Sequence, residues 1–345
     1  MIRLNKWKKI AAACLAALCL TGCGGQSVAD AVVVGKTEAE TASATEVWAG
    51  VQDYAETNDT LAGRYTVEED AEASFKEAAK AGAKTIIVMG SDLNTAFYKA
   101  QYKYKKVKFI GLDAQPKETE DEEAEIAENT VCVTYDKKQL GFLAGYAAVY
   151  AGNTSLGFIG GTESTEAKDY LNGFAAGADE AAKALGSADG SITINAWFAG
   201  SDELSPVVMD KALSFYDGGA QVILSQGSSI SKAVNEAAKK RGKYFISAGC
   251  DLSTEDDQCL IGMARNVGET AKSLLKQASS EDFTGGSYKA CGAAENSISL
   301  VCKYDQLGSF TEEIYKSIYA SLSEGQVTIS DNASDGTTKV TVSRS

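Results

Sequence analysis

The stretch Val131–Gly161 reads VCVTYDKKQLGFLAGYAAVYAGNTSLGFIGG and shows the alternation on which the fold prediction rests. Two short runs rich in apolar and β-branched residues, Val131–Thr134 and Leu156–Ile159, enclose the longer helical pattern Lys137–Tyr150. Apolar strands that alternate with helices are buried on both faces, as in a parallel sheet covered by helices. The stretch therefore predicts an α/β protein.

The same alternation continues in both directions along the chain. Because so many strands exceed what one compact lobe usually holds, we expect two doubly wound parallel-sheet lobes. The further β runs are Ala31–Val34, Thr85–Val88, Val107–Leu112, Ile192–Trp197, Val222–Leu224 and Tyr244–Ser247, and the further helical patterns are Thr66–Ala81, Ala167–Leu185, Leu204–Tyr216 and Ser229–Lys240.

Composition narrows the class of function. The 345 residues include no histidine, which removes Ser-His and Cys-His nucleophilic schemes and the commonest metal ligand. The net charge of −14 repels phosphate backbones, so nucleic acid is not an expected partner. We therefore expect no enzyme, cofactor or metal site, although a hydrolase that uses two carboxylates stays open as an alternative.

The N-terminus predicts an exported, membrane-anchored protein. Residues Met1–Gly22 combine a basic start with an 11-residue apolar run, too short for the roughly 20 residues of a spanning helix. The run ends in Leu20-Thr21-Gly22-Cys23, which resembles the lipobox of bacterial lipoproteins. The expectation is a signal peptide over 1–22, lipidation of Cys23 and a polar tether over 23–30; a plain signal peptide is the alternative.

Five cysteines follow Cys23, so at least one of them has no partner within the chain. Cys291 and Cys302 flank the turn-like Glu295-Asn296-Ser297 and are candidates for a pair across a hairpin. The five are Cys132, Cys250, Cys259, Cys291 and Cys302.

Two carboxylates follow predicted strands, at the ends where ligands bind in open α/β sheets. Asp113 comes directly after Val107–Leu112, and Asp251 lies shortly after Tyr244–Ser247. A carboxylate accepts two hydrogen bonds, which suits neighbouring sugar hydroxyls or an exocyclic amine. The alternative role for each is a helix N-cap or a turn residue.

Four further positions are candidates for ligand contacts. Gly161 lies in the Gly-Gly-Thr turn after Leu156–Ile159, and Ser228 lies at a helix start after Val222–Leu224, where backbone donors are available. Trp48 offers a stacking surface, as does Phe198. The alternatives are a tight turn for Gly161, a cap for Ser228 and core packing for the aromatic rings.

Several short motifs occur in an order and spacing that resemble the basic membrane protein family of bacterial lipoproteins, the nucleoside-binding components of ABC importers. The resemblance extends over nearly the whole mature chain. The motifs are QLGFLAG (139–145), GFIGG (157–161), NGFAAG (172–177), YDGGAQVI (216–223) and FTGGSY (283–288).

The resemblance implies the type I periplasmic-binding-protein fold, with two lobes that close about a hinge on the ligand. The first lobe would hold 31–132 plus about 250–285, and the second 133–249 plus about 286–345. The resemblance further implies a monomer anchored to the outer face of the cell membrane, with a nucleoside as ligand and an ABC permease as partner. Alternatives are a ligand sensor for a membrane receptor and a binder of a free sugar or polyol.

The family pattern also assigns roles to individual residues and shows departures. Asp113 matches the base-reading Asp, Asp251 the ribose-binding Asp, and Arg265 stands where the family has Lys. On the base side, Ser43 and Ala44 stand where the family has the stacking Phe and the base-reading Asn. Asp202 stands where the family has a second aromatic ring, so these departures put nucleobase binding in question.

Overall fold

Two sheets organise the chain, which the computed structural model describes over residues 27–36, 38–248, 258–281, 283–333 and 337–344. The first sheet has six strands in the order β11-β5-β4-β3-β1-β2, and every neighbouring pair is parallel. Its strands, numbered in chain order, are β1 (Val28–Val34), β2 (Leu61–Thr66), β3 (Thr85–Met89), β4 (Lys108–Leu112), β5 (Thr130–Tyr135) and β11 (Ser287–Cys291).

The second sheet has seven strands in the order β12-β10-β9-β8-β6-β7-β13. Its neighbours are parallel except for β10 and β12, which run antiparallel. The strands are β6 (Ser155–Gly160), β7 (Ile192–Phe198), β8 (Val222–Gln226), β9 (Tyr244–Ala248), β10 (Cys259–Arg265), β12 (Ile298–Cys302) and β13 (Val340–Arg344).

Helices alternate with most of these strands, which confirms the predicted α/β class. They are α1 (Ala42–Thr57), α2 (Ala71–Lys80), α3 (Asn94–Lys103), α4 (Lys137–Tyr150), α5 (Thr165–Ala184), α6 (Pro206–Asp217), α7 (Ser228–Arg241), α8 (Val267–Ser279) and α9 (Glu312–Ser323). Among the described residues, no helix is both long and apolar enough to cross a membrane.

Capping side chains set where several helices begin. Thr41, Asp70 and Asp136 each accept a hydrogen bond from the backbone N–H three residues further on, at 3.1, 3.1 and 2.9 Å. Such a bond satisfies one of the donors that a helix leaves unpaired in its first turn. The predicted helix over Thr66–Ala81 therefore begins only at Ala71, and Thr66 ends strand β2 instead.

The central strands of each sheet are apolar on both faces. Along β1, Val32 and Val34 belong to the main core cluster, while Ala31 and Val33 pack in a second cluster on the opposite face. A third cluster, which includes Ile223 of β8, covers one face of the second sheet. Burial on two faces explains why these strands have no alternating polar residues.

The chain crosses between the two sheets at three places, which we call the crossing segments. Asp136 leads from β5 to α4, which packs on α5 and on strands of the second sheet. Asn266 leads from β10 to α8, which packs on α1 of the first sheet, and residues 292–297 lead from β11 to β12.

After residue 250, two strands belong to the opposite sheet from the one that the expected lobe ranges predict. Strand β10 belongs to the second sheet although it lies in the range expected for the first lobe, and β11 belongs to the first sheet although it lies in the other range. Strand β10 pairs with β9 on one side and β12 on the other, and β11 pairs with β5 at the edge of the first sheet. Local sequence pattern does not encode that choice.

The four cysteines in the described part of the chain form no disulfide with one another. The suggested pair of Cys291 with Cys302 is wrong, because β11 and β12 lie in different sheets rather than in one hairpin. Burial raises the pKa of both thiols to about 12, so both are protonated at neutral pH. Cys250 lies outside the described residues.

Helices α4 and α5 pack closely because glycines line their contact. A Cβ atom added at Gly145 would lie 2.0 Å from the carbonyl oxygen of Phe174, and one added at Gly177 would lie 1.9 Å from that of Phe142. Gly141 and Gly173 are equally close to the facing backbone. The glycines of QLGFLAG and NGFAAG therefore form a helix–helix contact and do not bind a ligand.

Candidate functional site

The carboxyl ends of the two sheets meet at an ion pair. Asp113 follows β4 of the first sheet, and Arg265 is the last residue of β10 in the second sheet. Arg265 Nη1 donates to Asp113 Oδ1 at 3.0 Å. The side chains are 45% and 41% exposed, so solutes have access to both. The structure thus brings together two of the predicted ligand-binding residues.

Both partners of this ion pair are held in place by their surroundings. The guanidinium carbon of Arg265 lies 5.3 Å from the ring centroid of Tyr135, the last residue of β5, in a cation–π arrangement. Burial raises the pKa of Tyr135 to about 12, so this ring stays neutral. Asp113 has a φ of +55°, in the left-handed region that Asp and Asn tolerate better than most residues.

Backbone hydrogen bonds connect the three crossing segments next to this pair. Asp136 N donates to Cys291 O at 3.0 Å, and Asn266 N donates to Ser297 O at 2.8 Å. Ala293 N donates to the side-chain oxygen of Gln139 at 2.8 Å. Segments of this kind, a few residues at the ends of elements, are where hinges occur in proteins whose lobes close on a ligand.

Gly161 and Asp202, also predicted site residues, lie together at the carboxyl end of the second sheet. Asp202 accepts hydrogen bonds from the backbone N and the hydroxyl of Thr162, at 3.0 and 2.8 Å. A Cβ atom added at Gly161 would lie 1.9 Å from Asp202 Oδ1, so an alanine here would displace the Asp202 carboxylate. Asp202 therefore organises the turn after β6, and its carboxylate is already engaged with Thr162.

Ser228 begins α7 beside the end of β9. The preceding Gly227 has a φ of +102° and donates its N–H to Ala248 O at 2.8 Å. Ser228 is exposed, and the first turn of α7 directs backbone N–H groups to this end of the sheet. Ser228 is therefore exposed at the carboxyl end of the second sheet.

The aromatic candidates lie partly in the core. Trp48 is on α1 and packs against the main core cluster. Phe198 ends β7, with its ring centroid 5.6 Å from that of Phe158. Ala44 is fully buried in the first turn of α1, behind Ser43, so position 44 presents no polar group to a ligand. Asp251 and Cys23 lie outside the described residues.

Two residues at the carboxyl ends of the strands were not identified from the sequence, namely Gln226 and Arg344. Gln226 ends β8 and accepts a hydrogen bond from the backbone N of Gly161 at 3.3 Å. Arg344 ends β13, lies over the Phe198 ring at 5.7 Å and donates to Glu163 at 3.0 Å. Apolar and polar residues alternate over Val340-Thr341-Val342-Ser343, and this pattern, which is typical of a strand, could have indicated β13.

Comparisons with known proteins agree with this architecture. Basic membrane protein D of Borreliella burgdorferi (strain JD1) is 24% identical over 202 residues, which cover 57% of this chain and 57% of that relative, less than two thirds of its length. The ABC transporter nucleoside-binding protein BmpA of Lactococcus lactis subsp. cremoris (strain MG1363) is 24% identical over 268 residues, covering 69% of this chain and 71% of that protein.

Solved structures show the same fold at low sequence identity. An ABC transporter solute-binding protein from Conexibacter woesei DSM 14684 superposes with a TM-score of 0.59 at 17% identity, covering 88% of this chain and 99% of that one. A family model described as Bmp, ABC transporter substrate-binding protein PnrA-like, matches residues 29–331. The match confirms the resemblance found in the sequence: the chain belongs to the Bmp family of ABC transporter substrate-binding proteins.

Proposed function

We propose that this protein is a lipid-anchored, extracytoplasmic binding component of an ABC importer and that it captures nucleosides between two lobes. The observation that carries the proposal is the Arg265–Asp113 ion pair, which joins the carboxyl ends of two parallel sheets beside three crossing segments. This is where ligands bind in open α/β sheets. The name of the Lactococcus relative supports a nucleoside as the ligand class.

The ligand is captured when the two lobes close on it, and no covalent step is involved. A solute that contacts both lobes favours the closed arrangement by its differential affinity, and the permease distinguishes the closed form. Asp113 and Asp251 accept hydrogen bonds from the ligand, Arg265 contacts a hydroxyl, and Ser228 and Gly161 line the opposite side with backbone groups. Asp202 contributes by holding the turn that contains Gly161.

The base side of the site argues for a second candidate ligand. Ala44 is buried, and Trp48 packs against the core, so neither supplies the stacking or base-reading groups expected for a nucleoside. Base–aromatic stacking contributes about 1–3 kcal/mol per base, which this side of the site would lack. A free sugar or polyol needs only the hydroxyl-binding carboxylates and Arg265.

A thermal unfolding series distinguishes these ligands. The mature chain with Cys23 replaced is heated with purine and pyrimidine nucleosides, free bases, ribose and other sugars. A ligand at 100 times its Kd stabilises the folded state by about 2.7 kcal/mol, which raises the midpoint measurably. A shift with nucleosides alone supports the proposal, a shift with sugars alone supports the second candidate, and no shift across the panel contradicts both.

The anchor and the transport role have separate tests. Mass spectrometry of the protein extracted from membranes shows a diacylated Cys23 if the anchor is correct, and the Cys23→Ala variant then leaves the membrane fraction. A ligand sensor for a membrane receptor is the alternative to transport. Loss of nucleoside uptake in cells that lack the protein supports transport, whereas unchanged uptake supports the sensor.

A further inference from the structure

We propose that Asp113 makes the binding site selective for uncharged ligands, and against their phosphorylated forms, by occupying Arg265. The inference rests on the proposed function, because it assumes that solutes bind at the carboxyl ends of the strands. It adds a specificity role: without Asp113, the same site would accept a phosphate group.

Arg265 has the chemistry of an anion receptor. A guanidinium presents a planar fork of donors that matches phosphate oxygens, whereas the lysine of the family pattern is a single point charge. The Tyr135 ring, 5.3 Å away, supports one face of this fork. The side chain is 45% exposed, so a solute at the strand ends has access to its remaining donors.

Asp113 opposes this chemistry in two ways. Its Oδ1 accepts from Arg265 Nη1 at 3.0 Å, and Asp113 is the one carboxylate in hydrogen-bond contact with Arg265 among the described residues. Its negative charge also repels any anion that approaches the guanidinium. A hydroxyl meets no such repulsion, because it can donate to the carboxylate.

Other charges at the strand ends do not remove this effect. Asp136 and Asp202 add negative charge, although both carboxylates also accept backbone hydrogen bonds. Arg344, the other arginine there, is paired with Glu163 at 3.0 Å. Lys36 is exposed on the loop after β1. Arg265 is the positively charged partner in the ion pair that joins the two sheets.

The Asp113→Asn variant tests the proposal with little strain. Asparagine tolerates the φ of +55° at this position, and its amide keeps the size of the side chain while removing the charge. The matched control is Asp217→Asn, which also removes one negative charge from an arginine partner, Arg241 at 2.7 Å, but at the end of α6 and so away from the carboxyl ends of the strands. Circular dichroism of each variant checks folding.

Titration calorimetry on the full-length protein in detergent compares adenosine with its 5′-monophosphate. In Asp113→Asn, the ratio of the two affinities should shift toward the monophosphate by at least about tenfold. Asp217→Asn should leave the ratio unchanged, and the double variant Asp113→Asn with Arg265→Gln should lose the gain. An unchanged ratio in Asp113→Asn, or an equal change in Asp217→Asn, overturns the proposal.

A further probe separates this proposal from the nucleoside assignment. If the wild-type protein binds no nucleoside, the nucleoside assignment fails, and inorganic phosphate then decides the role of Asp113. Phosphate should raise the unfolding midpoint of Asp113→Asn but not that of the wild-type protein or of the double variant. Equal responses of Asp113→Asn and wild type overturn the proposal.

Discussion

Replacing Gly145 with alanine tests whether close packing of α4 against α5 holds this part of the molecule together. The added Cβ would lie 2.0 Å from the carbonyl oxygen of Phe174, whereas real Cβ contacts stay above 3.0 Å. The helices would have to separate by about 1 Å, because a backbone carbonyl cannot rotate away as a side chain can. Gly177, facing Phe142, allows no compensating shift.

The expected effect is a net loss of stability. Overpacking a core costs about 1–3 kcal/mol. Alanine is a better helix former than glycine by about 1 kcal/mol, which offsets part of that cost. We therefore expect Gly145→Ala to lower the free energy of unfolding by up to about 2 kcal/mol, although by propensity alone the substitution would stabilise the helix.

Urea unfolding of the mature chain measures this change by tryptophan fluorescence and by circular dichroism, since a chain with two sheets need not unfold in one step. Ala184→Gly is the control: Ala184 is exposed at the end of α5, so its substitution changes propensity with little change in packing. A midpoint for Gly145→Ala equal to or above that of the wild type would refute the close-packing argument.

Two other substitutions test the C-terminal segment and the turn after β6. Burial alone would raise the pKa of Asp179, but hydrogen bonds from Lys183, Lys339 and Thr338 lower it. Its stabilisation is therefore present above the unfolded pKa of about 3.9 and lost as pH falls through the lower folded value. Asp179→Asn should cost about 1–3 kcal/mol at pH 7 and much less near pH 2, as measured by urea unfolding; a cost independent of pH would contradict this account. Gly161→Ala should displace Asp202 and weaken binding of the ligand found by thermal unfolding at least about tenfold by calorimetry; unchanged affinity would remove this turn from the site.

The segment after α9 has a structural role that extends beyond the family match. Asn172 Nδ2 donates to Asp331 O at 2.7 Å, and Asp179 accepts from the backbone N atoms of Thr338 and Lys339 at 2.8 and 2.6 Å. These bonds guide the chain along α5 to β13, which pairs with β7 at the edge of the second sheet. The strand places Arg344 over Phe198, a group that the family motifs do not include.

The local pattern of the sequence determined the class of fold and the position of most central strands. Runs such as Ala31–Val34 and Leu156–Ile159 are apolar on both faces because helices cover both sides of the sheet, so these strands were predictable from the residues alone. The rule that ligands bind beyond carboxyl ends then indicated Asp113. The glycine motifs indicated the family, although their physical reason, the contact of α4 with α5, appeared only in the structure.

Tertiary structure alone decided which sheet each late strand joins and which side chains meet. Strand β11 lies in the first sheet although the strands before and after it in sequence, β10 and β12, lie in the second. The 3.0 Å pairing of Asp113 with Arg265 joins residues 152 positions apart, and no local spacing encodes such a contact. Sequence determines strands and helices through short-range periodicity, whereas the site depends on how two sheets are brought together by three crossing segments.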